Sequence, residues 1–121
     1  MEDRPFPGSE AVKLFLQLLF GAIFLWMTAM TVRTSLAVSL WGAWPSFAAN
    51  PWAVATLWDA YFGFLTFYLW VLYKERKTGA RIFWLVLIMG LGNIAISLYV
   101  LLQLKQLRAD DPVDAVLLRR A

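Results

Sequence analysis

Pro51-Trp52-Ala53-Val54-Ala55-Thr56-Leu57-Trp58-Asp59-Ala60-Tyr61-Phe62-Gly63-Phe64-Leu65-Thr66-Phe67-Tyr68-Leu69-Trp70-Val71-Leu72-Tyr73-Lys74-Glu75-Arg76 is an apolar, aromatic run against which every other segment of the chain can be placed. Trp52 to Tyr73 is 22 residues, and a helix that crosses a hydrocarbon core needs about 20. The stretch ends in a basic cluster and holds one carboxylate, Asp59. Its ends tell one side of a bilayer from the other, and Asp59 asks for a partner.

Composition points the same way. Of 121 residues, 61% are hydrophobic and 17% aromatic, more apolar surface than a small soluble domain keeps from water. The net charge of +3 does not suggest nucleic acid, because the basic residues flank apolar segments instead of interleaving with aromatics in a patch. With no cysteine and no histidine, conventional His or Cys ligation of haem or zinc, a His base and a Cys nucleophile are excluded. No glycine-rich phosphate loop, nucleophile elbow, paired carboxylates or metal-ligand cluster occurs, so no catalytic residue, no metal and no cofactor is predicted.

Three membrane spans are expected within one domain over residues 1–121. The first covers about 14–41 as a continuous helix, since no breaker lies between Val32 and Ser39. Gly42 to Asn50 reads as an uncharged loop. Pro51 fits the first turn of the next helix with Asn50 as its cap. The second span covers 52–73 and the third 82–104. In the tail, 105–121, Asp111 can cap and Pro112 can begin a short surface helix, with a frayed terminus as the other reading. The expected fold is all-α and polytopic.

Trp41, Trp44, Trp52 and Tyr73 stand at span ends, as aromatics do at a headgroup boundary, and Lys74, Arg76, Lys77 and Arg81 mark the cytoplasmic loop. Arg4 and Lys13 precede the first span. Three spans then put the N-terminus in the cytoplasm and the C-terminus outside, in a bacterial inner membrane. Lys105, Arg108, Arg119 and Arg120 on the outer tail count against that arrangement.

Small and polar residues are expected at helix contacts: Gly21 and Thr28 on the first span, Gly63 and Thr66 on the second, Gly90 and Ser97 on the third. Arg33, Asp59 and Asn93 are the intramembrane polar candidates for pairing or for a ligand. Arg33 and Asp59 each lie 8 residues from their loop edge at Trp41 or Pro51, about 12 Å along a helix. An unpaired charge there costs about 2.5–3.5 kcal/mol on insertion scales, so the two are expected to pair. Arg33, however, sits nearly opposite the Gln17, Gly21, Thr28, Ser35 stripe, beside Ala22, Ala29 and Ala37. Either that alanine face meets the second helix, or the helix is irregular near Thr34, or Arg33 serves a neighbouring chain.

From about Asn50 to Leu104 the chain carries Pro51-Trp52, Thr56-Leu57, Asp59 with Tyr61, Trp70-Val71, Tyr73-Lys74-Glu75, Trp84, Gly92 with Ile94, and Tyr99, followed by Asp111-Pro112. On these residues, above all Asp-x-Tyr followed by Trp-Val-x-x-Tyr-Lys-Glu, it resembles a domain-of-unknown-function family of small three-helix membrane proteins of plants and bacteria. The resemblance implies the architecture and adds no catalytic residue.

The expected role is a non-catalytic membrane subunit or scaffold, surrounded by lipid and packed against other membrane subunits or itself. The alternative is a small carrier or sensor that holds a lipid, quinone, carotenoid or ion between its helices. Aromatic residues form a groove for such a ligand on one reading and simply anchor and pack helices on the other.

Overall fold

The computed structural model describes residues 9–107 and 111–118, which are all-α with five α-helices, one short 3-10 helix and no strand among them. The helices are α1 (Ser9–Ala37), α2 (Leu40–Ala48), α3 (Pro51–Lys74), α4 (Thr78–Leu91) and α5 (Asn93–Lys105), followed by the 3-10 helix Val113–Leu117. The sequence readings that rest on Arg4, Arg108, Arg119 and Arg120 lie outside the described residues.

Two helices, α1 and α3, are long and apolar enough to cross a membrane. The third expected span, 82–104, is a different object. It is broken at Gly92 into helices of 14 and 13 residues, each too short to cross a core of about 30 Å. The break is a reversal of direction. On a continuous helix Trp84 and Tyr99 would be about 22 Å apart, yet their ring centroids are 4.8 Å apart. α4 and α5 therefore form a helical hairpin with Gly92 at its tip.

Gly92 has φ +59° and ψ −125°, a backbone region that side chains with a Cβ avoid. Its N–H still bonds the carbonyl of Ile88 at 2.8 Å, and its carbonyl accepts from the N–H of Ile96 at 3.0 Å. One leg thus closes and the next opens on the same residue. A Cβ there would lie 2.7 Å from the Phe64 ring, so α3 packs flush against the tip.

α3 and α4 run antiparallel. The Tyr68 hydroxyl donates to the carbonyl of Arg81 at 2.7 Å, and the Tyr61 hydroxyl to that of Met89 at 2.9 Å. The first core cluster joins Tyr68 and Val71 of α3 to Trp84 and Ile88 of α4 and to Ala95 and Tyr99 of α5. α1 lies along α5, also antiparallel: Leu19 to Met27 line a cleft with Asn93 to Ser97, and Glu10 to Gln17 line another with Leu104 to Leu107. Leu16 and Phe20 pack beside Val100 and Leu104.

This path brings the start of α1, the 75–77 loop and the end of α5 to one end of the molecule, here called the basic end. Lys13, Lys74, Arg76, Lys77, Arg81 and Lys105 all belong to it. The sequence expectation that the chain leaves its last helix at the end opposite its start is overturned. An even number of passes across the structure replaces an odd one.

At the far end the first span is shorter than expected. α1 stops at Ala37, and the segment read as a loop contains α2. Ser39 is the reason. It turns extended (φ −72°, ψ 155°), and its hydroxyl accepts from the N–H of Gly42 at 2.9 Å. A serine oxygen that satisfies an orphan N–H starts a new helix at little cost. Asn50 caps α3 as expected, accepting from the N–H groups of Trp52 and Ala53. The tail does form a short helix, of 3-10 type and with Pro112 instead of Asp111 at the cap position.

Candidate functional site

The polar chemistry of the described chain gathers at the basic end, around Tyr99. Tyr99 is fully buried, with its ring edge-on to Trp84, Trp70 and Phe67 at 4.8, 5.5 and 6.1 Å. Edge-to-face aromatic pairs of this kind add about 0.5–1.5 kcal/mol beyond area burial. The Tyr99 hydroxyl donates to Oε2 of Glu75 at 2.8 Å. Glu75 ends α3, and its carbonyl accepts from Nε of Arg81 at 2.8 Å. Glu75 thus ties α3 to both legs of the hairpin.

Lys74 is 6% exposed, which is unusual for a lysine. Its Nζ donates to the carbonyl of Val116 and sits 5.4 Å from the Trp70 ring centroid. Trp70 Nε1 donates to the carbonyl of Leu117 at 3.0 Å. A 3-10 helix one turn and a half long leaves carbonyls without internal partners. Two side chains of α3 satisfy them here, and Val116 inserts beside Val100 and Leu104. The 113–117 segment is therefore docked against α3 and α5; the residues after Leu118 lie outside the described ones. Gln103 is also buried, beside a cleft of about 340 Å³ that Lys74, Glu75, Arg76, Lys77 and Gln106 help to line.

Replacing Lys74 by Met and Trp70 by Phe keeps the bulk and removes both donors. The 113–117 segment should then detach, and limited proteolysis within 106–112 should accelerate on the order of tenfold, as expected when buried carbonyls lose their partners. An unchanged cleavage rate would show that the donors do not hold the segment.

The three intramembrane candidates fall elsewhere. Asn93 opens α5 at the hairpin tip, exposed, with its carbonyl accepting from the buried Ser97 hydroxyl. Arg33 and Asp59 are exposed and form no ion pair with each other. The expected pairing within the chain is therefore absent. The physical reason is packing: α1 meets α5 through Leu16, Phe20, Ile23 and Met27, and α3 meets the hairpin through Phe64, Phe67, Tyr68 and Val71. Arg33 and Asp59 lie roughly 110° and 130° around their helices from those faces.

The expected contact glycines also meet nothing among the described residues. A Cβ at Gly21, Gly63 or Gly90 would find no atom within 4 Å. Thr66 is exposed and donates to the carbonyl of Phe62, and the Thr28 hydroxyl is buried without a partner. Ser97 does pack where α5 faces α1. Of the expected anchors, Trp41, Trp44, Trp52 and Tyr73 are exposed near the two ends. Lys74 is buried and Arg81 half-buried, each holding a main-chain carbonyl.

A second cavity, an apolar cleft of about 620 Å³, opens between α1 and the tip half of α5, lined by Phe20, Ile23, Trp26, Met27, Asn93 and Ser97. Among the described residues no three His, Cys, Asp or Glu side chains gather where a metal could be held.

Sequence reasoning singled out Trp70, Lys74, Glu75, Trp84, Gly92 and Tyr99, and the structure gathers Trp70, Glu75 and Trp84 around Tyr99, with Lys74 beside Trp70 and Gly92 turning the chain that returns Tyr99 to the others. It missed Gln103 and Val116, whose only local signals were a polar residue late in an apolar helix and an apolar residue in a charged tail. No curated protein and no solved structure matches the chain. A family described as "Protein of unknown function (DUF1475)" matches residues 12–121, and to that family the chain belongs.

Proposed function

We propose that the protein is an integral membrane scaffold or accessory subunit, non-catalytic, built from two crossing helices and one re-entrant hairpin. The observation that carries this reading is the contrast between its two halves. α1 has none of its most apolar window buried within the chain, and Leu18, Leu25, Trp26, Trp58 and Phe62 are more than half exposed. Lipid and neighbouring helices are the natural cover for such surface. At the basic end, by contrast, Tyr68, Trp70, Lys74 and Arg81 all donate to main-chain carbonyls, which is construction and not reaction chemistry.

Both ends of the chain are assigned to the cytoplasmic side. The basic loop, Lys13 and Lys105 share one end, so the positive-inside rule is met by every described cation except Arg33. Lys105, which counted against a three-span topology, supports this one. Fluorescent-protein fusions at either terminus should be bright and alkaline phosphatase fusions inactive. An active phosphatase at the C-terminus would restore the three-span arrangement and remove the re-entrant hairpin.

The second reading, a carrier for an isoprenoid or other lipophile, is favoured by the apolar cleft beside Asn93. Purification in mild detergent, followed by mass spectrometry of proteins and extracted lipophiles, separates the two. A stoichiometric protein supports the scaffold; a stoichiometric quinone or carotenoid supports the carrier.

A further inference from the structure

Asp59 and Arg33 pose a shared problem. Asp59 lies 15 residues from Lys74 along α3, about 22 Å from the basic end. The other described cations, Lys13, Lys74, Arg76, Lys77, Arg81 and Lys105, belong to that end. Arg33 alone among the described cations stands in the far half.

The hairpin tip gives a common depth mark for the two helices. Gly92 touches Phe64 of α3, and Asn93 lines a cleft with Trp26 and Met27 of α1. Asp59 is 5 residues beyond Phe64, and Arg33 is 6 or 7 beyond Met27 and Trp26. The two therefore stand about 8 Å and about 10 Å past the tip, a difference well within the reach of an arginine side chain. They match in depth and oppose in charge, yet each points away from the packed interior of its own chain.

Resting on the membrane-scaffold reading above, we propose that the partner is a second copy of this chain, in a two-fold dimer whose axis is normal to the membrane. Arg33 of each copy pairs with Asp59 of the other. A two-fold axis in that direction preserves depth, so one contact made once is made twice, and both charges in both copies are satisfied. Gly63 supports the same surface: it lies about 40° around α3 from Asp59, a Cβ there would meet nothing within 4 Å among the described residues, and small residues on membrane helices let a neighbour approach. A headgroup phosphate would serve Arg33 alone and leave Asp59 unpartnered.

The chain has no cysteine, so the test uses introduced ones. Arg33→Cys and Asp59→Cys variants, carrying tags of different size, are co-expressed and treated in membranes with a short bismaleimide cross-linker. The linker is needed because an Arg–Asp pair holds its Cβ atoms farther apart than a disulfide tolerates. The mixed dimer should dominate over dimers of either variant alone. Separately, light scattering in lipid nanodiscs should show a dimer that Arg33→Asp alone weakens about 100-fold. Arg33→Asp with Asp59→Arg should restore it, which a folding defect would not allow.

Cross-links only between identical variants, a doubly substituted chain that cross-links internally as a monomer, or a swap that fails to restore dimers would each overturn the proposal. A monomer that co-purifies with a different membrane protein would also overturn it while leaving the scaffold reading standing. Extraction of the chain from membranes by alkaline carbonate would remove both.

Discussion

Gly92→Ala is expected to be among the most damaging single substitutions in the chain, although it adds one methyl group. Two penalties coincide. The backbone at φ +59° and ψ −125° is open to glycine and strained for alanine, at about 1–3 kcal/mol. The new Cβ would also lie 2.7 Å from the Phe64 ring, and overpacking of a closed contact costs about 1–3 kcal/mol. The sum, roughly 2–6 kcal/mol, is comparable with the whole stability of many small proteins. The hairpin would be expected to open and α5 to leave α1. A thermal melt in detergent micelles reads the loss, and adding Phe64→Ala divides it. The second substitution relieves the overlap but not the dihedral strain, so stability should return only in part. Full recovery would place the penalty in the contact alone. A melt unchanged by Gly92→Ala would mean that the turn is not as described.

Tyr99 should show the next largest effect, and its two parts separate cleanly. Tyr99→Ala removes a fully buried ring that three aromatic neighbours surround. Substitutions of large aromatics in a core cost about 3–5 kcal/mol. Tyr99→Phe keeps the ring and removes only the hydroxyl at 2.8 Å from Glu75. That leaves a carboxylate oxygen without its donor, at about 1.5–3 kcal/mol for a bond to a charged group. Adding Glu75→Gln to Tyr99→Phe should cost little more, since the pair is already broken. If Tyr99→Phe proves as harmful as Tyr99→Ala, the hydroxyl dominates and the aromatic cluster is secondary. If Tyr99→Phe is silent, Glu75 finds another donor.

The long elements were legible from the sequence because their signal is strong: α3 begins at Pro51 behind an Asn50 cap and ends at Lys74, within a residue or two of expectation. The hairpin was not legible. Residues 82–104 form one apolar run, and a glycine in such a run is ordinary in a membrane helix. Whether Gly92 continues the helix or reverses it turns on what packs against it, and that is Phe64 of α3, 28 positions away. A hint did exist in the charges, since Lys105 and the tail arginines fitted badly on an outer face. The Tyr99 cluster was half visible through Trp70, Lys74, Glu75 and Trp84, but only a chain that folds back at Gly92 makes them neighbours. Arg33 and Asp59 were correctly picked as the costly charges and wrongly joined within one chain, because a hairpin of equal arms was assumed and α5, not α3, lies beside α1.

That placement of α5 bears on how the chain is made. Phe20 and Val100 share a core cluster yet stand 80 positions apart. At ribosomal speeds of about 5–20 residues per second, α1 waits roughly 4–16 s for the surface it will rest on. Nothing earlier in the chain can substitute, since α2 and α3 leave that side of α1 uncovered. Of the described helices α1 is made earliest and waits for α5, so biogenesis hangs on whatever shelters α1 in the interval, and an interruption before the return leg is complete strands it.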